Sequence, residues 1–160
     1  MKKNIFQGVF WIGVYLFITL TPLFILLAGP RPVGRELWRD LSVGLGYSGF
    51  AMVGLQFVLT ARFKVIKAPY GSDIVYFFHR QVSLVAFVLI AAHPLLLFIF
   101  DPKHLGLLNL VTAPWAARFG VVSILSLAAL ISFSVWSKKL RIEYDRWRIW
   151  HGILAVAAVA

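Results

Sequence analysis

Three of the four histidines in this 160-residue chain, His79, His93 and His151, fall within or at the start of long apolar runs. An ionisable side chain at membrane depth is costly and marks a function by default. His79 and His93 lie 14 residues apart. At about 100° per residue that spacing is within about 40° of whole turns, so both rings share one helix face. The rise of about 1.5 Å per residue separates them by about 21 Å, most of a hydrocarbon layer roughly 30 Å thick. Two ligands stacked this way, one per leaflet, suit two redox centres on an electron path across a membrane. Neutral imidazole is a good ligand for haem iron, and two imidazoles leave the iron no open position. Such a centre passes electrons and does not readily bind oxygen. A zinc ion shared by His79 and His93 is excluded by the same separation of about 21 Å. The chain has no cysteine, which excludes disulfides, iron–sulfur clusters, thiolate-ligated haem and cysteine zinc sites.

The elements that must position these rings are membrane spans. Hydrophobic residues make up 61% of the chain and charged ones 14%, against roughly 45–50% and 25% in soluble domains. That balance excludes a soluble enzyme, a disordered tail and a fibrous protein. The formal charge of +10 sits in short gaps between apolar runs, as in a chain flanked by lipid headgroups rather than a nucleic-acid binder. A span needs about 20 apolar residues in helix. The expected fold is an all-α polytopic membrane helical bundle with four full spans, about 5–28, 41–61, 74–100 and 119–137. A fifth segment, 147–160, is too short to cross and is read as the start of a helix in a truncated piece of a longer protein. The whole of 1–160 is taken as one haem-binding transmembrane domain. Gly29-Pro30-Arg31-Pro32 closes the first span. Gly44, Gly46, Gly49 and Gly54 in the second admit a close neighbour.

Orientation follows from Lys and Arg counts. With the N-terminus in the cytoplasm, Lys2, Lys3, Arg62, Lys64, Lys67, Lys138, Lys139, Arg141, Arg146 and Arg148 lie inside, against Arg31, Arg35, Arg39 and Lys103 outside. Residues 1–28 read as an anchor, since Leu26-Leu27-Ala28 is a poor cleavage site. A bacterial inner (plasma) membrane is the expected location. The third and fifth segments then run in the same direction, and histidines near both their starts lie at similar inner depth. His79 and His151 can therefore pair on one haem. His93 needs a partner about 13–14 residues beyond His151, near position 164 or 165 by helical rise. Small residues beside the ligands (Gly152, Ala155 and Ala158; Ser83 and Ala86; Ala91 and Ala92) are expected to admit a flat macrocycle. Pro94 directly after His93 predicts a local kink. His104 reads as a solvated loop histidine.

Phe78-His79-Arg80, the pair His93-Pro94, and Trp150-His151-Gly152 two helices later resemble the ferric reductase-like transmembrane domain, whose relatives include ferric-chelate reductases and NADPH oxidases. The resemblance spans about residue 40 to the end. It implies six helices, two stacked b-type haems, and a cytoplasmic domain binding FAD and NAD(P)H. Carried over, His79 and His151 hold the inner haem, and His93 holds one side of the outer haem. The family's fourth ligand histidine, its sixth helix and a flavin domain do not occur in this sequence.

The expected function is that of an oxidoreductase passing electrons across the membrane. The donor is a cytoplasmic flavin or NAD(P)H, and the acceptor is ferric iron or oxygen outside. One alternative is a quinol-linked haem subunit of a periplasmic reductase. Another is a cofactor-free transporter or assembly protein whose histidines pack or relay protons. Arg80, next to the inner ligand, either snorkels to headgroups or pairs with a haem propionate. The Lys138-Lys139-Leu140-Arg141 run, with Arg146 and Arg148, faces anionic lipid or docks an electron donor. Arg31, Arg35 and Arg39 are placed to steer an anionic iron chelate.

Overall fold

The computed structural model describes residues 2–30, 32–60, 71–137 and 139–159, with backbone alone at 2–5 and 72. Among them every regular element is helical: α1 (Lys2–Ala28), α2 (Leu37–Thr60), α3 (Gly71–Phe100), a 3-10 helix (Pro102–Leu108), α4 (Trp115–Trp136) and α5 (Tyr144–Ala157). The first four α-helices are long and apolar enough to cross a membrane; α5 has 14 residues. The protein is a multi-pass integral membrane protein. Of the charges that set the orientation argument, Arg31, Arg62, Lys64, Lys67 and Lys138 lie outside the described residues.

Helix starts differ from the hydropathy expectation, and charged residues explain why. α2 begins at Leu37 rather than 41, with Arg39 and Asp40 inside its first turn. Asp40, only 2% exposed, tolerates this because it is ion-paired with Arg35. α4 begins at Trp115 rather than 119, behind Pro114 in extended conformation at the N-cap. Arg118 folds back, donating from Nε to the Ala113 carbonyl (2.8 Å) and from Nη2 to the Val111 carbonyl (2.7 Å). Its guanidinium carbon lies 4.7 Å from the centre of the Trp115 ring. α3 runs as one helix through Pro94. α5 starts at Tyr144, three residues before the expected 147. Arg146 and Arg148 pair with Glu143 and Asp145 at its start, which offsets part of the basic run.

The chain divides into two units, residues 1–97 and 98–160. In the first, α1 packs on α2, and α2 meets α3 where Ser42 bonds His93, Gly49 approaches Ala86 and Gln56 bonds His79. The buried face of α2 consists of Asp40, Ser42, Gly44, Ser48, Gly49, Met52 and Gln56, small and polar rather than aliphatic. Large apolar side chains such as Phe10, Phe17, Phe77 and Val88 are exposed instead. This is membrane logic: lipid takes the apolar surface, while small residues let backbones meet. A Cβ at Gly44 would stand 3.1 Å from the Leu23 Cα of α1. One at Gly49 would stand 2.9 Å from the Ala86 carbonyl oxygen and 3.0 Å from the Ile90 nitrogen of α3. Nothing lies within 4 Å of a Cβ at Gly54, so that glycine does not serve the close approach expected of it.

In the second unit α5 packs on α4, with Leu127, Leu130 and Ala158 buried. Ser123 donates from Oγ to the Ala158 carbonyl. The turn between the helices passes through Arg141 at φ 50°, a left-handed conformation uncommon for a residue with a Cβ. Ahead of α4 runs the 3-10 helix, capped by the Asp101 side chain on the Lys103 nitrogen (3.2 Å).

Candidate functional site

α3 carries His79 and His93, both half-buried, and each ring is gripped from α2 through Nδ1. His79 Nδ1 lies 2.7 Å from Gln56 Oε1. With the amide oxygen turned to the ring, the bond runs from Nδ1–H to Gln56, which leaves the lone pair of the neutral ring on Nε2. His93 Nδ1 lies 3.1 Å from the Ser42 carbonyl oxygen and 3.0 Å from Ser42 Oγ. The Ser42 hydroxyl directs its one hydrogen to the His93 carbonyl at 2.8 Å, leaving Oγ able only to accept from the ring. His93 therefore also carries its proton on Nδ1. Gly46 makes room for this ring, since a Cβ there would stand 3.0 Å from His93 Cγ and 3.2 Å from its Cβ.

In the second unit His151 sits in the second turn of α5, half-buried. Its Nδ1 is 3.1 Å from Ser134 Oγ of α4, a hydroxyl able to give or to take. The Trp147 ring, one turn earlier, packs on the imidazole with centroids 4.9 Å apart, and Tyr144 stacks on Trp147 at 5.8 Å. Each intramembrane histidine thus uses Nδ1 toward a neighbouring helix.

The donor chemistry fits haem. Among the described residues no three His, Cys, Asp or Glu side chains converge on a common point, so these side chains alone do not build a cage for a bare ion. A macrocycle supplies the equatorial nitrogens itself and asks the protein only for axial imidazole. A metal-bound histidine ordinarily donates its second ring nitrogen to a carbonyl, carboxylate or water, which is what Gln56 and Ser42 receive.

Of the small residues expected to make space beside the rings, Ala86 lies against α2, Ser83 and Ala158 take part in hydrogen bonds, and Gly152 faces open space. Ala86 is fully buried, and its carbonyl lies against Gly49 of α2. Ser83 donates back to the His79 carbonyl at 2.8 Å, and Ala158 accepts from Ser123. Gly152 is exposed with open space at its Cβ position. His104 is more than a solvated loop residue: its side chain is 26% exposed, and Nδ1 lies 3.2 Å from the Asp101 carbonyl and 3.3 Å from Asp101 Oδ2. Arg80 is exposed.

Ser42, Gln56 and Ser134 were not singled out from sequence. A signal existed: Ser42 and Gln56 are 14 residues apart, matching the spacing of His79 and His93, as an antiparallel neighbour requires.

The sequence profile of the family described as ferric reductase like transmembrane component matches residues 45–160. That stretch includes His79, His93 and His151. Comparisons with curated proteins and with solved structures gave no match.

Proposed function

The chain belongs to the ferric reductase-like transmembrane family, and from that premise we propose that it carries electrons across a bilayer through b-type haem held by His79, His93 and His151. The family places the chain among oxidoreductases that move electrons through membranes. The finer reading rests on one observation above all. Both α3 rings donate Nδ1–H to acceptors on α2, the arrangement that makes Nε2 the basic atom for an axial bond.

In this reading His79 and His151 serve the inner haem and His93 one face of the outer haem. Bound haem would supply a one-electron ferric/ferrous couple. The residues of α2 orient the α3 rings, Trp147 packs on His151, and Arg80 supplies positive charge beside His79 for a propionate or a headgroup. The N-terminus faces the cytoplasm, and a bacterial inner membrane suits the charge pattern. Electrons enter from a cytoplasmic flavin or NAD(P)H donor and leave to a ferric chelate or oxygen outside. A reduced-minus-oxidised visible spectrum of the purified chain tests the reading. Low-spin b-type bands that are lost or turn high-spin in His79→Ala support it; a chain without haem bands after reconstitution refutes it.

The interhelical hydrogen bonds themselves favour a second reading, in which the histidines only hold helices together. That protein would show no haem bands, and His79→Ala would change stability alone.

A further inference from the structure

We propose that Ser42 and Gln56 are positioning residues: from a helix that carries no histidine, they fix the ring proton of each α3 histidine on Nδ1 and present Nε2 as the ligand atom. The assignment rests on the haem reading above. Three observations carry it.

The direction of each bond follows from the atom turned to the ring, a backbone carbonyl at His93 and the amide oxygen of Gln56 at His79. Gln56 offers an amide oxygen at 2.7 Å. Ser42 offers a carbonyl at 3.1 Å and a hydroxyl oxygen whose hydrogen is committed to the His93 carbonyl.

The register is the second observation. Ser42 opposes His93 and Gln56 opposes His79, with 14 residues between the partners on each helix. Antiparallel helices of equal rise keep both pairs in step, so one packing of α2 on α3 sets both rings together.

Burial is the third. Ser42 is 0% and Gln56 6% exposed, so water cannot replace either acceptor. In such surroundings an acceptor on Nδ1–H also raises the basicity of the opposite nitrogen. The two acceptors are not equivalent. At His93 a backbone carbonyl backs up the Ser42 hydroxyl, whereas at His79 the acceptor is a side chain.

The test is ring-nitrogen NMR of the whole chain with 15N-labelled histidine in detergent, without and with added haem. The native chain is expected to show Nδ1–H tautomers at His79 and His93. Gln56→Met, similar in length and without an oxygen, loses the Nδ1–H signature at His79 and leaves His93 unchanged, which doubles as the check on folding. Gln56→Glu, which keeps an acceptor oxygen, retains the signature, and Ser42→Ala retains it at His93 through the carbonyl. In the haem-loaded chain the midpoint potential rises in Gln56→Met relative to Gln56→Glu, because a less basic imidazole favours ferrous iron. A native His79 protonated on Nε2, or a Gln56→Met spectrum identical to native, overturns the assignment while leaving haem binding intact. A native chain with the Nδ1–H tautomers that takes up no haem overturns the ligand role, and the presenting role of Ser42 and Gln56 falls with it.

Discussion

Gly49→Ala perturbs a point of close approach between α2 and α3. The new methyl would stand 2.7 Å from Ile90 Cγ1, 2.9 Å from the Ala86 carbonyl oxygen and 3.0 Å from the Ile90 nitrogen. A side-chain carbon can rotate away, but the two backbone atoms cannot. Reaching ordinary contact requires α2 and α3 to part by about 0.5 Å at mid-span. Overpacking of this kind costs about 1–3 kcal/mol. Gly54→Ala, on the same helix with nothing within 4 Å, is the control and gains up to about 1 kcal/mol of helix propensity. Gly49→Ala gains the same propensity, so the two variants should differ by the overpacking cost alone, about 1–3 kcal/mol, in denaturant unfolding in detergent. The same opening acts unequally on the rings. His79 to Gln56 starts at 2.7 Å and stays within hydrogen-bonding range after a gain of about 0.5 Å, whereas the His93 contacts at 3.0 and 3.1 Å pass out of it. Ring-nitrogen NMR should then show His93 losing its fixed tautomer before His79. Equal stability of the two variants, or loss at His79 first, would refute the close approach and the argument built on it.

Gly46→Ala should displace the His93 ring by a few tenths of an ångström, since the added methyl meets its Cγ and Cβ; the expected signature is a changed His93 resonance with that of His79 unmoved. Arg118→Lys should loosen residues 111–113, because a lysine cannot span two carbonyls as the guanidinium does; faster amide exchange there, with α4 intact, is the readout. His151 should become more mobile in Trp147→Ala, which removes the ring packed on it at 4.9 Å; broader His151 ring signals check this. The native chain has no cysteine, so single cysteines introduced at Ser137 and Val111 can map topology. Labelling from the inner side at the first and the outer side at the second is expected, and the reverse would invert the orientation.

Hydropathy found the apolar runs but misjudged their ends wherever a charge was neutralised locally. Arg39 and Asp40 look like the polar edge of a span, yet the Asp40–Arg35 pair lets the helix begin before them. Arg118 looks like an interfacial stop, yet it folds back to satisfy loop carbonyls from inside the first turn of α4. The histidines stood out because imidazole in a span is rare and their spacing carries a helix period. Their acceptors did not stand out, because Ser and Gln are ordinary polar residues until a partner helix is set against them in register. Ala86 misled for a related reason: a small side chain next to a ligand suits a macrocycle and a neighbouring backbone equally well, and only packing shows that α2 fills that space.

Gly49 lies seven residues from both Ser42 and Gln56, and Ala86 lies seven from both His79 and His93. The tight contact is therefore a fulcrum with arms of equal length. Any tilt of α2 about it in the plane of the two helices shortens one histidine bond as it lengthens the other.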